Sequence, residues 1–297
     1  MPPSGEPVAS VPPMPESFAA ATAVTPSPGV PGRFDVHIPP SWSTPGGVHG
    51  GMLVAAGLRA AREATDRPEL AMRLAHAVFL APPSNDLFFD VVSLRQGKRS
   101  AHVRVTGTCG QQDHAAIDLT VVFTADGESP AWLDARHPDV PSPEQLPSES
   151  GFGVPAHGGP IPPPPLFDHL DVRSVIGMVP WAEGWTPDQP ARHVRWNRYL
   201  ETPRCPDGSI DPLGLLPFAD LPGPAVWVKG RPGEMPMFFL SLDLSISFLE
   251  PVPEEWVLTD IRARWVGSGH VYAETDLWSG GRLVATSTQT MLRRIVP

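Results

Sequence analysis

Apolar and polar positions follow three different rules along this chain. The opening MPPSGEPVASVPPMPE has no apolar period and little to bury, so residues 1–16 are expected to form a disordered tail. Order should begin between Ser17 and Arg33. From Gly46 the text GGVHGGMLVAAGLRAAREATD places Met52, Leu53, Ala56, Leu58 and Ala60 on successive turns after a glycine-rich entry, which predicts a helix from about Gly50 to Thr65. Beyond Pro68 the period shortens. LAHAVFLAP, DLFFDVVSLRQGKRSAHVRVTGTC and HAAIDLTVVFTAD are rich in Val, Leu, Phe and Thr and are punctuated by turn-forming segments, as antiparallel strands joined by hairpins would be.

One helix followed by a meander is an α+β pattern, and without alternating helices a doubly wound parallel sheet is excluded. Residues 127–168 carry PSPEQLPSESGFGVPAHGGPIPPPP, which suits neither a ladder nor a helix interior and is expected to be a linker or surface crossover. Strand-like text then returns in LDVRSVIGMVPW and ARHVRWNRYLE, with a short helix expected around Asp211 to Leu221. The chain closes on SLDLSISFLEP, EEWVLTDIRARWVGSG, HVYAETDLWSG and GRLVATSTQTMLRRI. The second half repeats the first: Leu74 to Pro82 and Leu242 to Pro251 each end in a bulky apolar pair and a proline before a hairpin. The expected division is therefore 17–126 and 169–297, two units of one kind.

Composition narrows the function. A formal net charge of −10 argues against a nucleic-acid binder, which needs a basic footprint. Two cysteines, Cys109 and Cys205, are no disulfide framework and suit a reducing compartment. No targeting segment is recognisable, and no apolar run approaches the ~18–20 residues that span a bilayer, so a cytoplasmic protein without membrane contact is expected. The 40 prolines and 27 glycines belong mainly to tail, linker and turns.

Taken in order, VHGGM at the helix entry, VFLAPP…FFDVVSLRQGKRSAHVRV, and SLDLSISFLEP…EEWVLTDI…GRLVATSTQTMLR resemble the bacterial acyl-CoA thioesterase II (TesB-like) family. That resemblance implies a double hotdog, two antiparallel sheets each wrapped around a central helix and joined back to back. It also implies an Asp early in a strand of the second hotdog, a Gln on its last strand, and a Thr or Ser between them, acting together on the thioester. On this chain it places the acid on Asp243 and the amide on Gln289. IRARWVGSGH carries Ala263 and Arg264 where the hydroxyl is expected, and Ser268 is the nearest substitute.

The residues themselves permit this chemistry without requiring it. Leu242, Leu244, Ile246 and Phe248 alternate along one face, leaving Asp243 with Ser245 and Ser247 on the other, where Asp243 is either a proton acceptor or simply part of a solvated face. Gln289 offers both an acceptor and donors to a water, or is a surface polar residue on a final strand. Gly50, Gly51 and Met52 would present backbone N–H groups at a positive helix end, suited to an oxyanion, or the glycines merely permit close packing. Arg95, Lys98 and Arg99, with Arg104, make a basic hairpin that either meets the phosphates of CoA or is a solvated turn. There is no G-x-S-x-G elbow, and neither Asp113-His114 nor Asp168-His169 has the spacing of a metal site, so neither metal nor cofactor is expected. His157-Gly158-Gly159 falls in the linker, and the tryptophans of the second half are expected to pack core and sheet seams.

The resulting expectation is hydrolysis of a fatty or related acyl-CoA to free acid and CoA by water oriented by Asp243 and Gln289. One site is expected per double hotdog, because Leu74 stands where the acid would be in the first half. A homo-oligomer is expected because such sheets expose faces that pair. Two rivals are a non-catalytic acyl-CoA or lipid binder and a hotdog hydratase, the latter favoured if His49 lies near Asp243.

Overall fold

The computed structural model describes residues 16–44, 46–110, 114–149, 162–180, 182, 184–230 and 237–295. The expected tail therefore lies almost wholly outside the described residues, as do the middle of the expected linker with His157, Gln111 to Asp113, and Trp181.

The first half runs α1 (Phe18–Ala21), β1 (Thr25–Pro26), β2 (Arg33–His37), β3 (Ser43–Thr44), β4 (Gly47–Val48), α2 (Gly50–Thr65), β5 (Ala71–Phe79), β6 (Asp86–Gln96), β7 (Ser100–Cys109) and β8 (Ala115–Thr124). The second half runs β9 (Leu170–Ile176), β10 (Arg192–Tyr199), a 3-10 turn Pro212–Leu215, α3 (Leu216–Ala219), α4 (Gly223–Trp227), β11 (Met237–Ser241), β12 (Asp243–Phe248), β13 (Val257–Gly267), β14 (His270–Ser279) and β15 (Arg282–Ile295). All but β3 and β4 join one antiparallel sheet, ordered β1-β2-β6-β7-β8-β5-β12-β15-β14-β13-β10-β9, with β11 also pairing to β15.

The helix expected over Gly50 to Thr65 is α2, and it is buried nearly all round, from Gly51, Met52 and Leu53 to Ala60 and Ala61. A surface helix would show one apolar stripe. This one is wrapped by β5 to β8 on one side and capped by α3 on the other, so small residues replace a polar face. Asp66 ends it in the left-handed conformation at φ 46°.

The two halves meet edge to edge rather than back to back. The repeated segments pair directly, Asp243 with Val78 and Ser247 with Leu74, so β5 and β12 make one continuous sheet. The first half wraps a long helix, but among the described residues the second offers only the 3-10 turn, α3 and α4 in the equivalent place. Aromatic contacts seal the junction: Trp42 stacks on His169 at 3.7 Å between centroids, and Phe18 and Phe218 both meet Tyr199. Both cysteines are free thiols. Among the described residues no helix is long and apolar enough to cross a membrane.

Candidate active site

The sheet carries an irregularity where β11 gives way to β12. Ser245 lies four positions after Ser241, but their partners Thr288 and Met291 on β15 are only three positions apart. The extra residue is Leu242, and this bulge reverses which face the side chains take on either side of it. Before the bulge Ser241 opposes Met291 and shares the inner face with Gln289. After it, Leu244, Ile246 and Phe248 take the inner face, and Asp243, Ser245 and Ser247 the outer one.

A second element completes the inner cluster. Arg59 on α2 donates through Nη2 to Asp211 Oδ2 at 2.7 Å, and Asp211 accepts from the Leu213 N–H to cap the 3-10 turn. That anchor fixes α3 against the start of α2, where Asp220 follows its last residue. Asp220 Oδ2 accepts from the Gly51 N–H at 2.8 Å, and Oδ1 accepts from Ser241 Oγ at 3.0 Å and from Gln289 Nε2. Gln289 Nε2 also donates to Ser241 Oγ at 2.6 Å. Acid, hydroxyl and amide thus form a closed ring of bonds at the amino end of α2.

The glycines are required here by space. A Cβ on Gly50 would lie 2.5 Å from Asp220 Oδ2, and one on Gly51 would lie 2.5 Å from the Leu216 carbonyl oxygen. The Gly51 N–H is taken by Asp220 and the Met52 N–H by the His49 carbonyl. Among the described residues the Gly50 N–H makes no hydrogen bond, and it points from the positive end of a sixteen-residue helix.

His49 caps that helix with its ring buried, its Nε2 3.7 Å from Asp220 Oδ2, and neither ring nitrogen hydrogen-bonded. Burial pushes its pKa below the usual histidine value, and Asp220 offsets this only in part, so the ring is neutral at pH 7. Gln289 Oε1 is likewise buried without a partner. Its two donors are spent on Asp220 and Ser241, which leaves an open acceptor beside a carboxylate.

Of the residues singled out from the sequence, Gln289, Gly50 and Gly51 come together here. Asp243 does not join them: its Oδ1 accepts from the Thr290 N–H at 2.7 Å on the outer face, which ties down the backbone at the bulge. Ser268 sits in the left-handed region at φ 50° at the tip of the β13–β14 hairpin, its carbonyl bonded to His270 Nδ1. Arg95, Lys98 and Arg99 belong to the β6–β7 hairpin, whose Gly97 and Lys98 carbonyls accept from Arg67 just past the carboxyl end of α2. A helix of that length puts them roughly 24 Å from Gly51.

A cleft of about 290 Å³ opens nearer the cluster, lined by Val226, Met237, Ala263, Lys229, Arg264 and Arg293. Ala263 pairs with Ala273, which pairs with Gln289, so the cleft lies on the same inner row. Asp220 escaped the sequence reading because it sits in no alternating strand pattern, and Ser241 because the bulge reverses the face that alternation assigns it. Among the described residues no group of His, Cys, Asp or Glu is placed to hold a metal ion.

Fold and cluster together define a hotdog protein with an acid, a hydroxyl and an amide gathered at a helix amino terminus. Residues 38–125 match the acyl-CoA thioesterase N-terminal domain and residues 134–293 the acyl-CoA thioesterase C-terminal domain. The chain belongs to the acyl-CoA thioesterase family and so to the thioester hydrolases. Comparison with curated protein sequences gave no match. Among solved structures, a hot dog fold protein of unknown function from Alicyclobacillus acidocaldarius is 25% identical, with a TM-score of 0.76 over 94% of this chain and 98% of that one. The acyl-CoA thioesterase II TesB2 of Mycobacterium marinum is 19% identical, with a TM-score of 0.73 over 94% and 99%. The tesB protein of Mycobacterium avium subs paratuberculosis is 20% identical, with a TM-score of 0.71 over 93% and 98%.

Proposed function

We propose that this protein hydrolyses an acyl-CoA to free acid and CoA at the Asp220–Ser241–Gln289 cluster, with water as nucleophile and no covalent enzyme intermediate. The observation that carries this is the open Gln289 Oε1 beside the Asp220 carboxylate. A water donating one hydrogen to each acceptor directs its lone pairs away from both, toward a thioester carbonyl. As the new C–O bond forms, Asp220 takes the water proton and the carbonyl oxygen becomes an oxyanion, which the Gly50 N–H faces at the positive end of α2. Collapse of the intermediate breaks the C–S bond, and the proton passes to the departing thiolate. Ser241, accepting from Gln289 and donating to Asp220, fixes both groups.

The cleft with Lys229, Arg264 and Arg293 suits the phosphates of the CoA arm better than the Arg95, Lys98 and Arg99 hairpin, which lies at the other end of α2. The reading includes a homo-oligomer, since Leu74 and Val78 are exposed on the outer face of the β5–β12 seam. The 3.7 Å approach of His49 to Asp220 favours a second reading, hydration of an enoyl-CoA by a neutral histidine and an acid.

One experiment separates the two. Free-thiol release and loss of enoyl absorbance are followed over a panel of saturated and 2-enoyl CoA esters with wild type and Asp220→Asn. Thiol release that falls by ~10²–10⁴ in the variant supports the hydrolase. Enoyl loss without thiol release supports the hydratase.

A further inference from the structure

The inner face of the second half carries buried polar side chains among its apolar ones. Arg195 on β10 pairs with Thr259, which pairs with Leu277, which pairs with Ala285, and Gln289 lies four residues further along β15 on the same face. His193, Thr259, Thr275 and Ser287 are buried on that face with them. Arg195 is 4% exposed, and both its Nε and its Nη2 are buried without a hydrogen-bond partner.

Those two nitrogens form one edge of the guanidinium, and at three other arginines of this protein the same edge holds a single carboxylate. Arg33 Nε and Nη2 grip Asp90 at 2.7 and 2.9 Å, and Arg192 Nε and Nη2 grip Asp260 at 2.8 and 2.9 Å. Arg173 holds Asp171 through the same pair. Each is a parallel two-point match between a planar fork and a carboxylate. Arg195 presents this fork with nothing on it.

The surroundings leave the fork open without leaving the charge wholly unbalanced. Glu149 is near enough for its charge to act on Arg195, but its oxygens accept from Ser174 N and Oγ instead. His193 Nε2 lies 3.3 Å from Ser174 Oγ, and its Nδ1 has no partner. Desolvation and the Arg195 charge push His193 down to about 3, so it is neutral and competes for no anion. The same arginine acts electrostatically on His49, whose Nε2 lies 3.7 Å from Asp220 Oδ2.

We propose that the Nε/Nη2 edge of Arg195 receives a carboxylate carried by the acyl group, making the preferred substrates CoA thioesters of dicarboxylic acids. This rests on the acyl-CoA reading of the site, and names the class of acyl group. His193 and Thr259 supply further polar contacts, Leu277 and Ala285 between Arg195 and Gln289 suit the intervening methylenes, and a plain alkyl chain of equal length would end against the buried guanidinium with nothing to offer it.

The test is binding, so that it does not depend on turnover. Glutaryl-, adipoyl- and suberoyl-CoA are titrated calorimetrically into full-length Asp220→Asn beside pentanoyl-, hexanoyl- and octanoyl-CoA. A match is expected for at least one length, with the diacid ester bound roughly 10-fold or more tighter than its monoacid partner. That preference should vanish in Asp220→Asn/Arg195→Met. Because removing Arg195 leaves Glu149 unbalanced, the same comparison is made with Arg195→Met/Glu149→Gln, which removes both charges. Equal or weaker binding of every diacid ester overturns the proposal and leaves Arg195 a structural counter-ion to Glu149. Diacid preference in a wild type that cleaves no thioester would instead remove the hydrolase reading and keep the carboxylate site.

Discussion

Replacing Asp243 by Asn separates position in the sequence from position in the fold. The Asp243 carboxylate accepts from the Thr290 N–H at 2.7 Å and sits on the outer face, across the sheet from Gln289. Asn keeps an oxygen in that place and loses the charge. A hydrogen bond to a charged group contributes ~1.5–3 kcal/mol against about 1 for a neutral one, so the variant should lose about 1 kcal/mol of stability. With a urea slope on the order of 3 kcal/mol/M, the midpoint falls by a few tenths of a molar. Thiol release should stay within about 2-fold of wild type, while Asp220→Asn loses ~10²–10⁴. The two variants are compared by urea unfolding and by kcat on one acyl-CoA. If Asp243→Asn is as stable as wild type yet loses about 100-fold or more in kcat, the assignment of the acid to Asp220 is refuted.

Ser241→Ala should lower kcat about 10-fold or more with little change in KM, and Ser241→Thr should restore it, because only the hydroxyl between Asp220 and Gln289 is needed. Gly51→Ala should cost ~1–3 kcal/mol or more, read as a lower Tm, since its Cβ would meet Leu216 carbonyl atoms at 2.5 and 2.7 Å that belong to backbone and cannot swing away. Stability should fall on acidification through His193. The folded state binds that proton only near pH 3, whereas the unfolded chain binds it below its ordinary value of 6.5. Between those values the unfolded state holds more protons, and stability rises with pH by about 1.4 kcal/mol per unit. His49 acts in the same direction, so His193→Gln should flatten the pH dependence of unfolding between pH 6 and 4 without abolishing it.

The regular periods in the sequence translated directly into structure. Residues 50–65 form α2, and the alternating runs after Pro68 and after Leu242 form β5 to β8 and β12 to β15. Five strands lacked such a signal: β1, β3 and β4 are two residues long, β2 is five, and β11 adjoins β12 with a single residue between them. The back-to-back join expected from the resemblance is replaced by an edge-to-edge one, in which the two copies of the repeated strand, β5 and β12, pair directly.

The site was only partly legible, for reasons that lie in backbone geometry. Gln289 and the His49-Gly50-Gly51 turn could be found because each occupies a fixed place in a regular element. Strict alternation from Leu244, Ile246 and Phe248 assigns Asp243 its face correctly, but the same rule assigns Ser241 the wrong one, because a single extra residue at Leu242 reverses the count. A bulge has no residue type of its own, and leucine there reads as one more apolar strand position. Asp220 was harder still. It follows a four-residue helix whose placement depends on Arg59 reaching Asp211 across 152 positions of sequence. What brings Asp220 rather than Asp243 beside Gln289 is therefore a long-range ion pair and a one-residue slip, and both act on direction rather than on composition. Any hotdog sequence read by alternation alone carries the same ambiguity wherever an acid and a hydroxyl flank a strand break.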